Sequence, residues 1–159
     1  MKRFVASSAA LVILDQVTKL LARRGLTGDE PVQLLGDVLR LRLVHNAGAA
    51  FGLFPGNRLV FILVSILSIA LILYLIFSRR YLFRGSFIAF GAILGGAIGN
   101  LIDRLWLHRV VDFIDVGAGI HRWPTFNVAD IGVTLGVLYL AGHFLVSEAL
   151  PQRASEQNG

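Results

Sequence analysis

The chain contains no cysteine. That excludes a disulfide framework, a thiolate nucleophile and any cysteine-ligated metal. Histidine is scarce and scattered: His45, His108, His121 and His143 show no HExxH-type spacing that would set two ligands on one helix face. No metal and no cofactor are expected. Charge is thin, with Asp, Glu, Lys and Arg making up 16% of the residues. No internal repeat or low-complexity tract stands out.

What is abundant is apolar. A hydrophobic fraction of 55% and a mean hydropathy of +0.70 are too high for a soluble domain of 159 residues and argue for a single membrane domain. The formal charge is +5. Because the basic residues flank apolar runs, they read as membrane anchors, and no nucleic-acid partner is expected.

Four segments approach the roughly 20 residues that a span requires, at Phe4–Leu21, Leu59–Phe77, Ser86–Leu105 and Val128–Ala149. The first resembles a signal peptide in having Lys2 and Arg3 ahead of it. It lacks a convincing small-residue cleavage site and is read as a retained helix. The expected fold class is therefore an α-helical membrane protein with four transmembrane helices. Loops at 22–57 and 106–127 lie on one side, and a polar, disordered tail at 150–159 follows the last span. Lys2, Arg3, Arg79, Arg80, Arg84 and Arg153 fall in short connections on the terminal side, which predicts cytoplasmic termini.

Within the first loop, Leu39-Arg40-Leu41-Arg42-Leu43 alternates with the period of a half-buried strand. Pro31–Leu35 precedes it and Gly36-Asp37 offers a turn, so a small extracytoplasmic β-hairpin, a platform resting on the membrane, is predicted. A small-residue run, Ala47–Ala50 with Gly52, follows His45 and Asn46 and allows close backbone approach. In the third segment Gly91, Gly95 and Gly99 recur every fourth residue, and Gly132 and Gly136 do so in the fourth. This pattern suits close helix packing, and the expectation is that it joins the third and fourth helices.

The polar residues concentrate in Gly99–Asp130. Acids and amides crowded where membrane helices end are costly to desolvate and usually have a use. Asn100, Asp103 and Arg104 can share one helix face, with Arg104 expected to hold Asp103 ionised. Val110–Val116 reads as extended, so Asp112 and Asp115 should point to opposite faces. Asn127 followed by Asp130 has the spacing of a helix-capping box, which could by itself account for that acid. Asp15 and Lys19, four apart, either form a simple intrahelical ion pair or position a substrate or brace the neighbouring helices.

Taken together, five blocks resemble the lipoprotein signal peptidase family in content and order: Asp15–Lys19, Asn46–Phe51, Gly99–Arg104, Val110–Ile114 and Phe126–Asp130. Ala47 stands where many members have threonine. The resemblance implies an aspartyl peptidase of the bacterial inner membrane, its active site near the extracytoplasmic face. It would cleave diacylglyceryl-modified prolipoproteins before the lipidated cysteine. Asp112 and Asp130 would be the catalytic dyad. Asp15, Lys19, Asn46, Gly48, Asn100, Arg104, Asn127 and Ala129 would support or line the site. Membrane lipids and globomycin-like inhibitors are the other expected partners, with a monomer as the working state. Two further classes remain open at this stage: a small proton-coupled transporter, and a non-enzymatic assembly factor whose polar cluster is structural.

Overall fold

A computed structural model describes residues 1–26, 28, 30–48, 58–78, 83 and 85–156. Four helices, α1 (Lys2–Gly25), α2 (Arg58–Ser78), α3 (Ser86–Trp106) and α4 (Val128–Glu156), are each long and apolar enough to cross a membrane. Four strands lie between them: β1 (Val32–Leu35), β2 (Leu39–Asn46), β3 (Val110–Ala118) and β4 (His121–Arg122). The strands form one antiparallel sheet in the order β1-β2-β3-β4. The predicted hairpin and the extended Asp112 segment thus belong to a single sheet.

α3 is the hub, packed against α1, α2 and α4. Its residues are small where neighbours come closest. A methyl group at Gly95 would press into the Ser8 carbonyl of α1, and one at Gly96 into the Ala129 carbonyl of α4. Gly91 and Gly99 likewise face α1, at Ser7 and Asp15. The glycine row therefore seats α1, and the expectation that it joins α3 to α4 is corrected. Gly96 lies on the next face and serves that second contact, with Gly136 of α4 set against the Ala89 carbonyl. Spacing on a helix reveals that a face is small, but not which neighbour uses it.

The apolar core lies at one end of the bundle, where Phe4, Ile72, Ile76, Phe90 and Leu94 interlock across α1, α2 and α3. In lipid such packing acts through dispersion and close fit, since hydrocarbon surrounds the helices either way. The other end of the bundle is polar and meets the sheet. There the Val111 amide of β3 donates to Asp103 Oδ2 (3.0 Å). Phe113 and Ile114 donate to the Phe126 carbonyl (3.0 and 2.9 Å), and Phe126 donates back to Ile114 (3.1 Å). β3 is thus laced to α3 behind it and to the segment that begins α4.

α4 continues to Glu156, about two turns beyond the expected limit at Ala149, so most of the predicted disordered tail is helical. Hydropathy marks where an apolar run ends, and helical hydrogen bonding has no such limit. The small-residue run from Ala49 to Gly52, and Arg79, Arg80 and Arg84, lie outside the described residues.

Candidate active site

Two acids from different elements reach one cavity of about 260 Å³. Asp112 comes from β3 and Asp130 from the first turn of α4, and Asn46, Gly48, Asn100 and Arg104 line the same space. Asp112 is only 2% exposed, and each of its oxygens accepts an amide N–H. Asn127 Nδ2 donates to Oδ1 (2.7 Å) and Asn46 Nδ2 to Oδ2 (2.9 Å). Asp130 is treated alike, with Asn100 Nδ2 on Oδ1 (2.8 Å) and the Asn127 backbone N–H on Oδ2 (3.1 Å).

The amides are held donor-first. Asn46 Oδ1 accepts from the Gly48 amide (2.9 Å), which leaves its nitrogen for Asp112. Asn127 Oδ1 accepts from the Asp130 backbone N–H (3.1 Å), completing the reciprocal capping box expected from the spacing. Asn100 Oδ1 accepts from Lys19 Nζ (2.9 Å) and from Asn127 Nδ2 (3.1 Å). An ammonium has no lone pair to offer, so Asn100 must turn its NH₂ toward Asp130. Asn127 thereby ties the two acids together, once through its side chain and once through its backbone.

Behind the cavity, Lys19 pairs with Asp15 (2.8 Å) and Asp103 (3.0 Å), all three sealed from solvent. The intrahelical Asp15–Lys19 pair forms and also braces neighbouring helices. Asp15 Oδ1 accepts the Ala129 amide (3.0 Å), fixing the start of α4 to α1. Lys19 is the cation in direct contact with Asp103, and the charge of Arg104 acts on it as well, so the expected role is shared. Arg104 turns to the cavity, with its guanidinium 5.5 Å from the centre of the Phe61 ring of α2. Gln16 Nε2 contacts Asp15, Asp103 and the Gly99 carbonyl, each at 3.2 Å. Among the described residues, no buried side-chain nitrogen or oxygen lacks a hydrogen-bond partner.

Burial, reinforced by the charge of Asp130, pushes the Asp112 carboxyl from its ordinary 3.8 up to about 6. The amides of Asn46 and Asn127 and the more distant Lys19 oppose that rise without cancelling it.

The sequence-named residues Asp15, Lys19, Asn46, Gly48, Asn100, Arg104, Asp112, Asn127, Ala129 and Asp130 all lie in or directly behind this cavity. Sequence reasoning did not place Trp123, Pro124 or Thr125 at the site, and it named Val110 and Phe126 only as the openings of two family blocks. A tryptophan–proline pair three residues before a helix cap was the available signal. It points to a fixed segment facing the site.

A fold with four helices long and apolar enough to cross a membrane, and two acids sharing one amide-lined cavity, defines the class: a multi-pass membrane protein with a paired-carboxylate site. Comparison with known proteins gives the family. The family model described as Signal peptidase (SPase) II matches residues 7–146. A lipoprotein signal peptidase from Caldicellulosiruptor bescii is 46% identical over 129 residues, covering 80% of this chain and 81% of that protein. One from Geobacillus kaustophilus is 38% identical over 149 residues, covering 94% and 96%. A solved bacterial membrane enzyme superposes with a TM-score of 0.81 at 26% identity, over 94% of this chain and 90% of that one. The chain belongs to the signal peptidase II family, and by family it is an aspartic-type protease acting in lipoprotein processing.

Proposed function

We propose that this protein removes the signal peptide from diacylglyceryl-modified prolipoproteins, cutting just before the lipidated cysteine, with Asp112 and Asp130 as the catalytic dyad. The observation that carries this reading is the pairing itself. Two carboxyls from separate elements share one cavity, and donors hold every carboxylate oxygen.

Two such acids share a proton, because ionising both so close together is costly. Asp112, pushed up to about 6, is the member that keeps it. Asp130, in the first turn of α4 where the helix dipole favours negative charge, acts as the base. Asp130 takes a proton from water as the oxygen attacks the scissile carbonyl carbon, while Asp112 gives its proton to the carbonyl oxygen. The tetrahedral diol then collapses: Asp130 passes its proton to the departing cysteine nitrogen, and Asp112 recovers one from the diol hydroxyl. Water is consumed and both acids return to their starting states.

The site opens on the side away from the cytoplasm, with both termini inside. The substrate's acyl chains stay in the bilayer while its peptide bond reaches the sheet. Globomycin-like cyclic peptides would compete for the same cavity, and the chain works as a monomer without metal or cofactor. Purified protein should cut a diacylglyceryl-modified prolipoprotein and spare the unlipidated form. Equal cleavage of both forms, or none of either by well-folded protein, would overturn the reading.

A further inference from the structure

A second charged cluster lies on the sheet, outside the residues that line the cavity. Asp115 is 3% exposed, and both its oxygens are held by arginines. Arg40 Nε and Nη2 donate to Oδ2 (3.1 and 3.0 Å), and Arg122 Nε donates to Oδ1 (2.6 Å). The same two guanidiniums continue to Asp37: Arg40 Nη1 reaches Oδ1 (2.9 Å) and Arg122 Nη1 the backbone carbonyl (2.9 Å). The other Asp37 oxygen accepts the Gly119 amide. Two acids and two arginines thereby close a neutral ring that joins the β1–β2 turn, β2, β3, β4 and the β3–β4 turn.

The sheet needs such a device. Strand register is normally set by a buried apolar face, because a one-residue slip would turn that face to water. Here β1 is exposed along its whole length and β2 is nowhere fully buried. The β2–β3 ladder is also broken. Leu41 pairs with Ile114 and Val44 with Asp112, so Arg42 and Leu43 stand against Phe113 alone, as in a β-bulge. Beyond the bulge, Asn46 pairs with Val110 and reaches the Asp112 carboxyl diagonally. A slip there would bring His45 or Ala47 to that place, and neither has an amide to donate from its side chain.

We propose that Asp115, Arg40 and Arg122 form a register lock that positions Asn46 on the Asp112 carboxyl. Asp115 is thus a positioning residue for the reaction, acting through strand alignment three residues from the dyad. This inference rests on the peptidase reading above.

The test exploits the absence of cysteine. Leu39 and Val116 are Cα partners, and Gly117 donates to the Val38 carbonyl, which makes them a non-hydrogen-bonded pair with closely spaced side chains. Leu39→Cys with Val116→Cys gives a disulfide that can stand in for the lock. Asp115→Asn should lower kcat about tenfold or more. It should also shift the alkaline limb of the pH profile upward, as Asn46→Ala does. Combined with Asn46→Ala it should add little, and oxidising the cysteine pair in Asp115→Asn should restore most of the lost rate.

Rate losses that multiply in the double variant would overturn the lock, as would a disulfide that forms fully without restoring activity. If Asp115→Asn fails to accumulate in membranes, Arg40→Gln takes its place with the same expectations. Disulfide yield, read without any substrate, should fall in the Asp115→Asn background. It reports register even if the wild type were to cut no prolipoprotein, so failure of the lock and failure of the peptidase reading are separable.

Discussion

Asp112 and Asp115 stand three residues apart on one strand, both almost sealed from water, and their chemistry is opposite. Asp112 meets amides and a second acid, and its carboxyl is pushed up to about 6. Burial pushes Asp115 up as well, yet the Arg122 and Arg40 guanidiniums outweigh it and hold that carboxyl below its ordinary value. Burial is common to both, so it does not decide between a proton carrier and a structural anion. The partners do: a neutral amide donor favours the charge too weakly to cancel burial, whereas a guanidinium commits the acid to its charge. An aspartate that must exchange a proton is kept among amides, and one that must hold strands together is placed between arginines.

The largest effect should come from abolishing proton exchange. Asp112→Asn and Asp130→Asn are each expected to reduce cleavage by about 10²- to 10⁴-fold while the protein still inserts and folds. A variant keeping more than half the wild-type rate would remove that acid from the dyad.

Stability should separate the two acids of β3 by sign. For Asp112 the folded pKa lies above the unfolded 3.8, so stability is fully present below 3.8, falls as pH rises, and levels off above about 6. Asp112→Asn should therefore gain stability at pH 8, up to about 3 kcal/mol. For Asp115 the folded pKa is lowered, so its contribution is present above the ordinary carboxylate value and lost as pH falls through the folded one. Asp115→Asn should lose about 3 kcal/mol at pH 8. Thermal unfolding in detergent at pH 8 and pH 5 measures both, and a shared sign at pH 8 would break the contrast.

A subtler change should sharpen it. The proposed reaction needs Asp112 protonated, so kcat/KM should decline on the alkaline side with an apparent pKa near 6. Asn46 favours the charged form, so Asn46→Ala should move that decline to higher pH; a move to lower pH would contradict the assignment. The smallest effect belongs to Asp37→Asn. That carboxyl is 46% exposed, and its arginine contacts should be worth no more than about 1 kcal/mol by denaturant titration.

Much of this arrangement was legible in the chain because it is local. The four spans, the alternating Leu39–Leu43 strand, the extended Asp112 segment and the Asn127–Asp130 capping box depend on spacings of a few residues. What remained hidden depends on contacts across long separations. The Lys19–Asp103 pair joins α1 to α3, and the partner of the Gly91–Gly95–Gly99 face is α1. A helix period assigns residues to a face, and only the packed bundle assigns that face a neighbour. The residues named by the family resemblance gather in and behind one cavity, but the donor-first orientation of Asn46, Asn100 and Asn127 comes from acceptors that no motif records.

The capping box at the start of α4 also sets the order in which the enzyme becomes competent. Asn127, Ala129 and Asp130 are the last residues of the site along the chain, set at the start of the last helix. A nascent chain still lacking them has three helices, β3 and one member of the proposed dyad, but no bridge to a second carboxyl across the cavity. With Asp112 and Asp130 as the proposed dyad, peptidase activity would be withheld through biosynthesis until the final span has been delivered to the bilayer and its first turn has closed on Asp15. On that reading an incompletely inserted copy would cut nothing.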